Sequence, residues 1–199
     1  MQSAEFQVCA ELQYTVQQRG WLLLNLAVVK LPGTEIIREN LGIRPKSEIR
    51  ELRPIRAESR FHGIEVQPGA LEILYEVRLR RAQFCTSAAR ESQQECSPVE
   101  LPPDVVPYLY PSRYCESDLL VRFAHQEFGH LPPGHERVAG ICNWLFHKIH
   151  YEVGSTDAHA TAVDCLTQRA GVCRDFAHLA IALCRALGLP ARYGSAYAY

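Results

Sequence analysis

The sequence predicts an α+β chain, with an N-terminal antiparallel domain of β-sandwich type followed by a mainly helical domain. Three observations carry this. Apolar and polar residues alternate in two stretches before residue 80, Phe6 to Val16 and Leu71 to Leu79. Prolines crowd residues 98–111. Beyond them the apolar period lengthens from two to between three and four residues, the spacing of an amphipathic helix.

In the first part, Phe6, Val8, Ala10, Leu12, Tyr14 and Val16 share one face of a half-buried strand over residues 5–17. Gln17 to Gly20 turns the chain, and Trp21 to Leu31 reads as a nearly continuous apolar strand ended by Pro32-Gly33. Residues 34–47 are mixed in character and suggest no element. Ile49 to Ile55 reads as a short strand that Pro54 confines to an edge. Phe61 to Val66 and Leu71 to Leu79 are further strands, with a turn at Pro68-Gly69. Together they predict a β domain over residues 1–97. The basic stretch Arg44, Lys46, Arg50, Arg53, Arg56 and Arg60 is interleaved with Glu48, Glu51 and Glu58, and reads as a solvated face.

Pro98, Pro102, Pro103, Pro107 and Pro111 fit an extended connector over 98–111, where the domain boundary is expected. The second domain, 112–199, then begins. Ser117 suits an N-cap, and Leu120, Phe123, Ala124 and Phe128 form a stripe ended by Gly129. Val138, Ile141, Cys142, Leu145 and Ile149 form a second helix. Thr161 caps a short third helix, with Asp164 completing a capping box. The last helix is the clearest: Phe176, Leu179, Ala180, Leu183, Cys184 and Leu187 share a face. Gly188 is placed as its C′ residue and Leu189 as C″, and Pro190 stops it. Ala191 to Tyr199 reads as a strand.

The 199 residues carry 21 Lys and Arg against 22 Asp and Glu, a formal net charge of -1, which gives no reason to expect nucleic acid or an anionic membrane as partner. Met1 to Glu5 lacks the basic and apolar regions of a signal peptide, and the apolar run from Trp21 is too short to span a bilayer. The 8 cysteines include no C-x-x-C pair and read as free thiols, so a reducing, cytoplasmic setting is expected. No cofactor or metal is expected. His147 and His150, spaced by three residues, suit the C-terminal end of a helix better than a metal site.

Among the cysteines, Cys173 stands apart by position. It follows Gly171 and opens the last helix, where backbone N–H groups and the macrodipole favour a thiolate. Cys165 and Cys184 read as core. Asp175, in the first turn, suits the dipole. His178 lies five residues after Cys173, about 140° around the helix, and is not placed to be its base.

The run Gly171-Val-Cys-Arg-Asp-Phe-Ala-His-Leu179, then Arg185-Ala-Leu-Gly-Leu-Pro-Ala-Arg-Tyr193, closely resembles the bacterial transglutaminase-like family, within the papain-like cysteine peptidase and transglutaminase superfamily. Pro111 to Asp118 and Trp144 to Tyr151 resemble that family's core, and the strands before residue 97 its N-terminal β domain. The resemblance implies that Cys173 is the nucleophile of a Cys–His–Asp triad acting on amide bonds, as peptidase, amidase or acyl transferase, with a protein or peptide as substrate. In the family the His and Asp lie on strands beyond the Ala-Arg-Tyr segment. The sequence ends at Tyr199, so only Cys173 carries over. The expectation is an incomplete core domain, weak or inactive, whose apolar face over residues 176–199 is exposed unless an oligomer partner or another chain covers it. The alternative is a non-catalytic module that binds protein through the β domain or that face.

Overall fold

The computed structural model describes residues 3–53, 59–82 and 95–197. The chain divides into two compact units, residues 1–85 and 86–198.

In the first unit the described residues form six strands, in two antiparallel three-stranded sheets. One has the order β1 (Ser3–Val16), β6 (Gly69–Ala82), β3 (Thr34–Arg44). The other has the order β2 (Gly20–Ala27), β5 (Arg60–Val66), β4 (Ile49–Leu52). Alternation puts Val8 opposite Val77 and Leu12 opposite Ile73 on the inner face. Leu24 and Ile64 of one sheet pack with Ile43, Leu71 and Ile73 of the other in one buried cluster, as in a β-sandwich.

Three details depart from the sequence reading. β3 occupies the stretch expected to hold no element. Its register shifts between Ile36 and Arg38, which breaks the alternation that would have marked it. β2 stops at Ala27 rather than Leu31, and the next amide, Val28 N–H, donates to the Tyr75 hydroxyl at 2.9 Å. The basic stretch is not a uniform solvated face. Arg50 and Arg53 pair on the surface with Glu48 and Glu51 at 3.1 and 2.9 Å, but Arg60 is buried. Pro54, Ile55, Arg56 and Glu58 lie outside the described residues.

The second unit opens with two 3-10 turns, Pro98–Glu100 and Val106–Leu109. Four helices follow: α1 (Ser117–Phe128), α2 (His135–Lys148), α3 (Ala162–Gln168) and α4 (Cys173–Ala186). A parallel pairing of two-residue strands, β7 (His150–Tyr151) and β8 (Ala170–Gly171), joins the segment after α2 to the segment before α4. Thr161 caps α3 as its sequence predicts. Its hydroxyl accepts the Asp164 N–H at 3.3 Å, and the Asp164 carboxylate accepts the Thr161 N–H at 2.9 Å. Ser117 is not the cap of α1: Glu116 holds that position, and Ser117 is a buried first-turn residue.

α4 is the centre of this unit. Leu179, Ala182 and Leu183 are fully buried, against Leu120, Ala124 and Phe128 of α1, Ile141 and Leu145 of α2, and Ala162 and Cys165 of α3. The helix ends as its sequence predicts. Gly188 takes φ 80°, Leu189 N–H donates to Cys184 O at 2.9 Å, and Gly188 N–H donates to Arg185 O at 3.0 Å, a Schellman motif.

Two expectations for this region are corrected. The stripe from Phe176 to Leu187 is not an exposed patch awaiting a partner, because three helices of the same chain cover it. Residues 191–197 form no strand, and 198–199 lie outside the described residues. The stretch is held instead by side-chain and loop contacts. Ala191 N–H donates to Tyr108 O at 3.1 Å, and Arg185 donates to Ala191 O through Nε at 2.9 Å and Nη2 at 2.7 Å. Arg185 Nη1 also reaches Tyr110 O at 2.9 Å and Ser112 Oγ at 3.1 Å, which ties the proline-rich segment to α4. Among the described residues no helix is long and apolar enough to cross a membrane.

Candidate active site

Four described cysteines are exposed (Cys9, Cys96, Cys142 and Cys173) and three are buried. Cys85 lies outside the described residues. Cys165 and Cys184 are buried as their sequence positions predict, but exposure alone does not single out Cys173. Position does single it out. Cys173 is the first residue of α4, behind a Val172 N-cap with extended backbone. Burial pushes the Cys165 thiol up to about 11, with the nearby Asp175 charge adding to it. Burial likewise pushes Cys184 to about 11, with Cys142 adding to it. Neither buried thiol is suited to act as a nucleophile near neutral pH.

The surroundings of Cys173 are built by its neighbours in sequence. Gly171, in β8, accepts the Glu152 N–H at 3.0 Å. A side chain at 171 would place its Cβ 2.8 Å from the Asp175 Cβ and 3.3 Å from the Cys165 sulfur, so glycine is required by space. Asp175 is fully buried. Burial alone would raise its carboxyl, but hydrogen bonds from Thr156, the Val172 amide and Arg174 outweigh it and hold the group below the usual carboxylate range. Val172 N–H donates to Asp175 Oδ2 at 2.9 Å, and the Thr156 hydroxyl donates to the same oxygen. Arg174 donates to Oδ1 from Nε at 3.0 Å and Nη2 at 2.9 Å. Its Nη2 also reaches Asp157 O at 2.6 Å. A charge read from sequence as serving the helix dipole is thus the hub of a buried network. The signal available in sequence was the three-residue offset from Val172 to Asp175, the same as from Thr161 to Asp164.

His178 is stacked on Tyr114 with ring centroids 5.3 Å apart, and Tyr193 lies 5.8 Å away on a tilted plane. Burial, then the Arg174 charge, lowers its pKa. It does not hydrogen-bond Cys173, which has no histidine partner among the described residues. His147 spends Nδ1 on the Asn143 carbonyl at 2.7 Å. Among the described residues no group of three or more His, Cys, Asp or Glu is arranged to hold a metal ion.

A family model described as the bacterial transglutaminase N-terminal domain matches residues 4–104, half of the chain, and one described as the transglutaminase-like superfamily matches residues 122–199. The chain belongs to the bacterial transglutaminase-like family. The second match includes Cys173 and the whole of α4. A crystal structure of a candidate cysteine protease from Cytophaga hutchinsonii superposes with a TM-score of 0.86 at 32% identity, covering 96% of this chain and 66% of that one. An uncharacterized protein of Mycobacterium leprae is 42% identical over 60 residues, 30% of this chain and 22% of that protein. The chain thus spans about two thirds of its solved relative and matches a smaller part of the curated one. With the solved relative the transglutaminase-like chain shares the fold class expected from its sequence: an antiparallel β part, then a mainly helical part of papain-like type. The family is one of thiol enzymes.

Proposed function

We propose that this transglutaminase-like chain carries the nucleophile half of a thiol enzyme acting on amide bonds of a protein or peptide, with Cys173 as the attacking group. The supporting observation is the placement of Cys173, exposed at the first position of α4, whose start is held by buried hydrogen bonds. Backbone N–H groups at a helix start favour the thiolate. The sulfur would attack the substrate carbonyl carbon to give a tetrahedral oxyanion. Collapse breaks the C–N bond, the amine leaves with a proton taken from solvent, which balances the one the thiol lost, and an acyl thioester remains on Cys173. Water resolves it to an acid, or a second amine resolves it to a new amide; in both cases the thiol is regenerated.

For residues 1–199 the reading is weak activity or none. Cys173 has no histidine partner among the described residues to take and return the proton, and a triad without its base loses orders of magnitude in rate. The test is hydrolysis of a peptide amide or capture of an added amine by the purified chain, against Cys173→Ala. Slow turnover that the substitution abolishes supports the reading. Turnover that survives it contradicts it.

One observation favours the second reading, a protein-binding module. Trp21, Leu23 and Leu52, whose strand positions put them on the outer face of the β2–β5–β4 sheet, are all at least half exposed. The opposite sheet's outer face is a ladder of charges, with Arg80 between Glu5 and Glu35. A chain that binds a partner through Trp21 and is indifferent to Cys173→Ala would fit this reading alone.

A further inference from the structure

We propose that Asp175 is a positioning residue: it clamps the first turn of α4 to the 154–160 loop and so sets where the Cys173 thiol stands. The proposal rests on the reading of Cys173 as the nucleophile. A carboxylate that served only the helix dipole would do so from solvent. Asp175 is instead fully buried, which is strongly unfavourable for an ionised group unless its oxygens are saturated with donors. They are, and the donors come from both sides of Cys173 and from the loop. Val172 donates from before it, Arg174 from after it, and Thr156 from across the gap.

The stitching continues outward. Arg174 carries the contact on to the Asp157 carbonyl at 2.6 Å, and Glu152 N–H donates to Gly171 O at 3.0 Å. Gly171, Val172, Arg174 and Asp175 all hydrogen-bond into this clamp, while Cys173 between them keeps an exposed side chain. The backbone on either side of the thiol is therefore pinned and the sulfur is left free. Helix-start amides stabilise a thiolate only where they converge on the sulfur, and a pinned first turn is what keeps them converged.

The test is the rate at which iodoacetamide alkylates each cysteine at neutral pH, read by peptide mass spectrometry, in the unaltered chain, Asp175→Asn and Thr156→Val. Asparagine keeps the shape but removes the charge and turns an N–H₂ donor toward one of the two donor sets, Arg174 or Val172 with Thr156, so the clamp loses part of its hydrogen bonding. Valine removes one donor and leaves the carboxylate, so it is the milder variant if the first proves unstable. Cys165 and Cys184 are the internal control, because buried thiols stay unlabelled only while the fold holds. Both variants are expected to slow Cys173 by roughly tenfold, the size of effect seen when a supporting partner of a functional group is removed. Cys9 and Cys142 should keep their rates. Faster labelling of Cys173 in Asp175→Asn would mean that Asp175 acts on the thiol only through its charge, and an unchanged rate in both variants would mean a purely structural role. Either result overturns the proposal. If Cys173 of the unaltered chain reacts no faster than Cys9 and Cys142, the nucleophile reading itself has failed, and that is visible before any variant is compared.

Discussion

Arg60 on β5 grips Glu39 on β3 through two parallel hydrogen bonds of 2.7 and 2.9 Å, an ion pair that joins the two sheets of the first unit. Arg60 also donates to Glu51 at 3.1 Å and to Val28 O at 3.2 Å, and the Tyr75 hydroxyl donates to Glu39 at 2.7 Å. Removing Arg60 leaves the half-buried Glu39 carboxylate without its ion-pair partner. Arg60→Met is therefore expected to destabilise the β unit by about 3 kcal/mol. The double variant Arg60→Met with Glu39→Leu should recover part of that loss. Urea unfolding followed by circular dichroism checks both. A double variant less stable than the single one would show that the pair is not the unit of stabilisation.

The same cluster sets an acid limit. Hydrogen bonds from Arg53 and then Arg60 lower Glu51 from 4.5 to about 2. For Glu39, burial acts upward, but Arg60 and Tyr75 outweigh it and the net shift is downward. A carboxylate held below its unfolded value adds stability that is complete above that value and is lost as pH falls toward the folded one. Thermal stability should thus fall between about pH 4.5 and 2 as these groups protonate. His62, held neutral chiefly by burial, adds a loss that begins below its ordinary 6.5. Melting curves of the unaltered chain and Glu39→Gln across this range are the check, and the variant should show the shallower slope.

Gly171 and Gly20 make a matched pair of tests. An alanine Cβ at 171 meets Asp175 at 2.8 Å, whereas at Gly20 nothing lies within 4 Å. Gly171→Ala should cost about 1–3 kcal/mol through crowding. Gly20→Ala should be neutral or stabilise by about 0.5 kcal/mol through the unfolded chain. Equal melting temperatures for the two variants would contradict this account of the close packing under Cys173.

Arg185 holds the segment after α4 by a fork that lysine cannot reproduce. Arg185→Lys should leave the helical core intact and speed hydrogen exchange at the Ala191 amide by about tenfold or more. Unchanged exchange there would show that the Ala191 N–H to Tyr108 O bond holds the segment unaided.

Much of this architecture was legible in the sequence. The alternation in β1 and β6, the Thr161 cap and the Gly188 stop are local, and local pattern reports them. What it missed depends on distant partners. The Ile36–Arg38 register shift hid β3, and the two-residue strands β7 and β8 exist only because they meet each other. Arg60 looked like its basic neighbours because nothing local marks Glu39 as its partner. The stripe of α4 lies where its sequence places it, but α1, α2 and α3 of the same chain cover it, with no partner needed. Cys173 is singled out in the sequence by its position at a helix start together with the resemblance of its motif. Asp175 was passed over because its burial depends on Thr156, nineteen residues away.

The central claim, that Cys173 is the nucleophile, is tested most directly by trapping the acyl group. Brief incubation of the chain with an activated acyl ester at neutral pH, followed by peptide mass spectrometry, reports which thiols become thioesters. The account predicts acylation at Cys173 well ahead of the other exposed cysteines Cys9, Cys96 and Cys142. Acylation spread evenly over all four would contradict it.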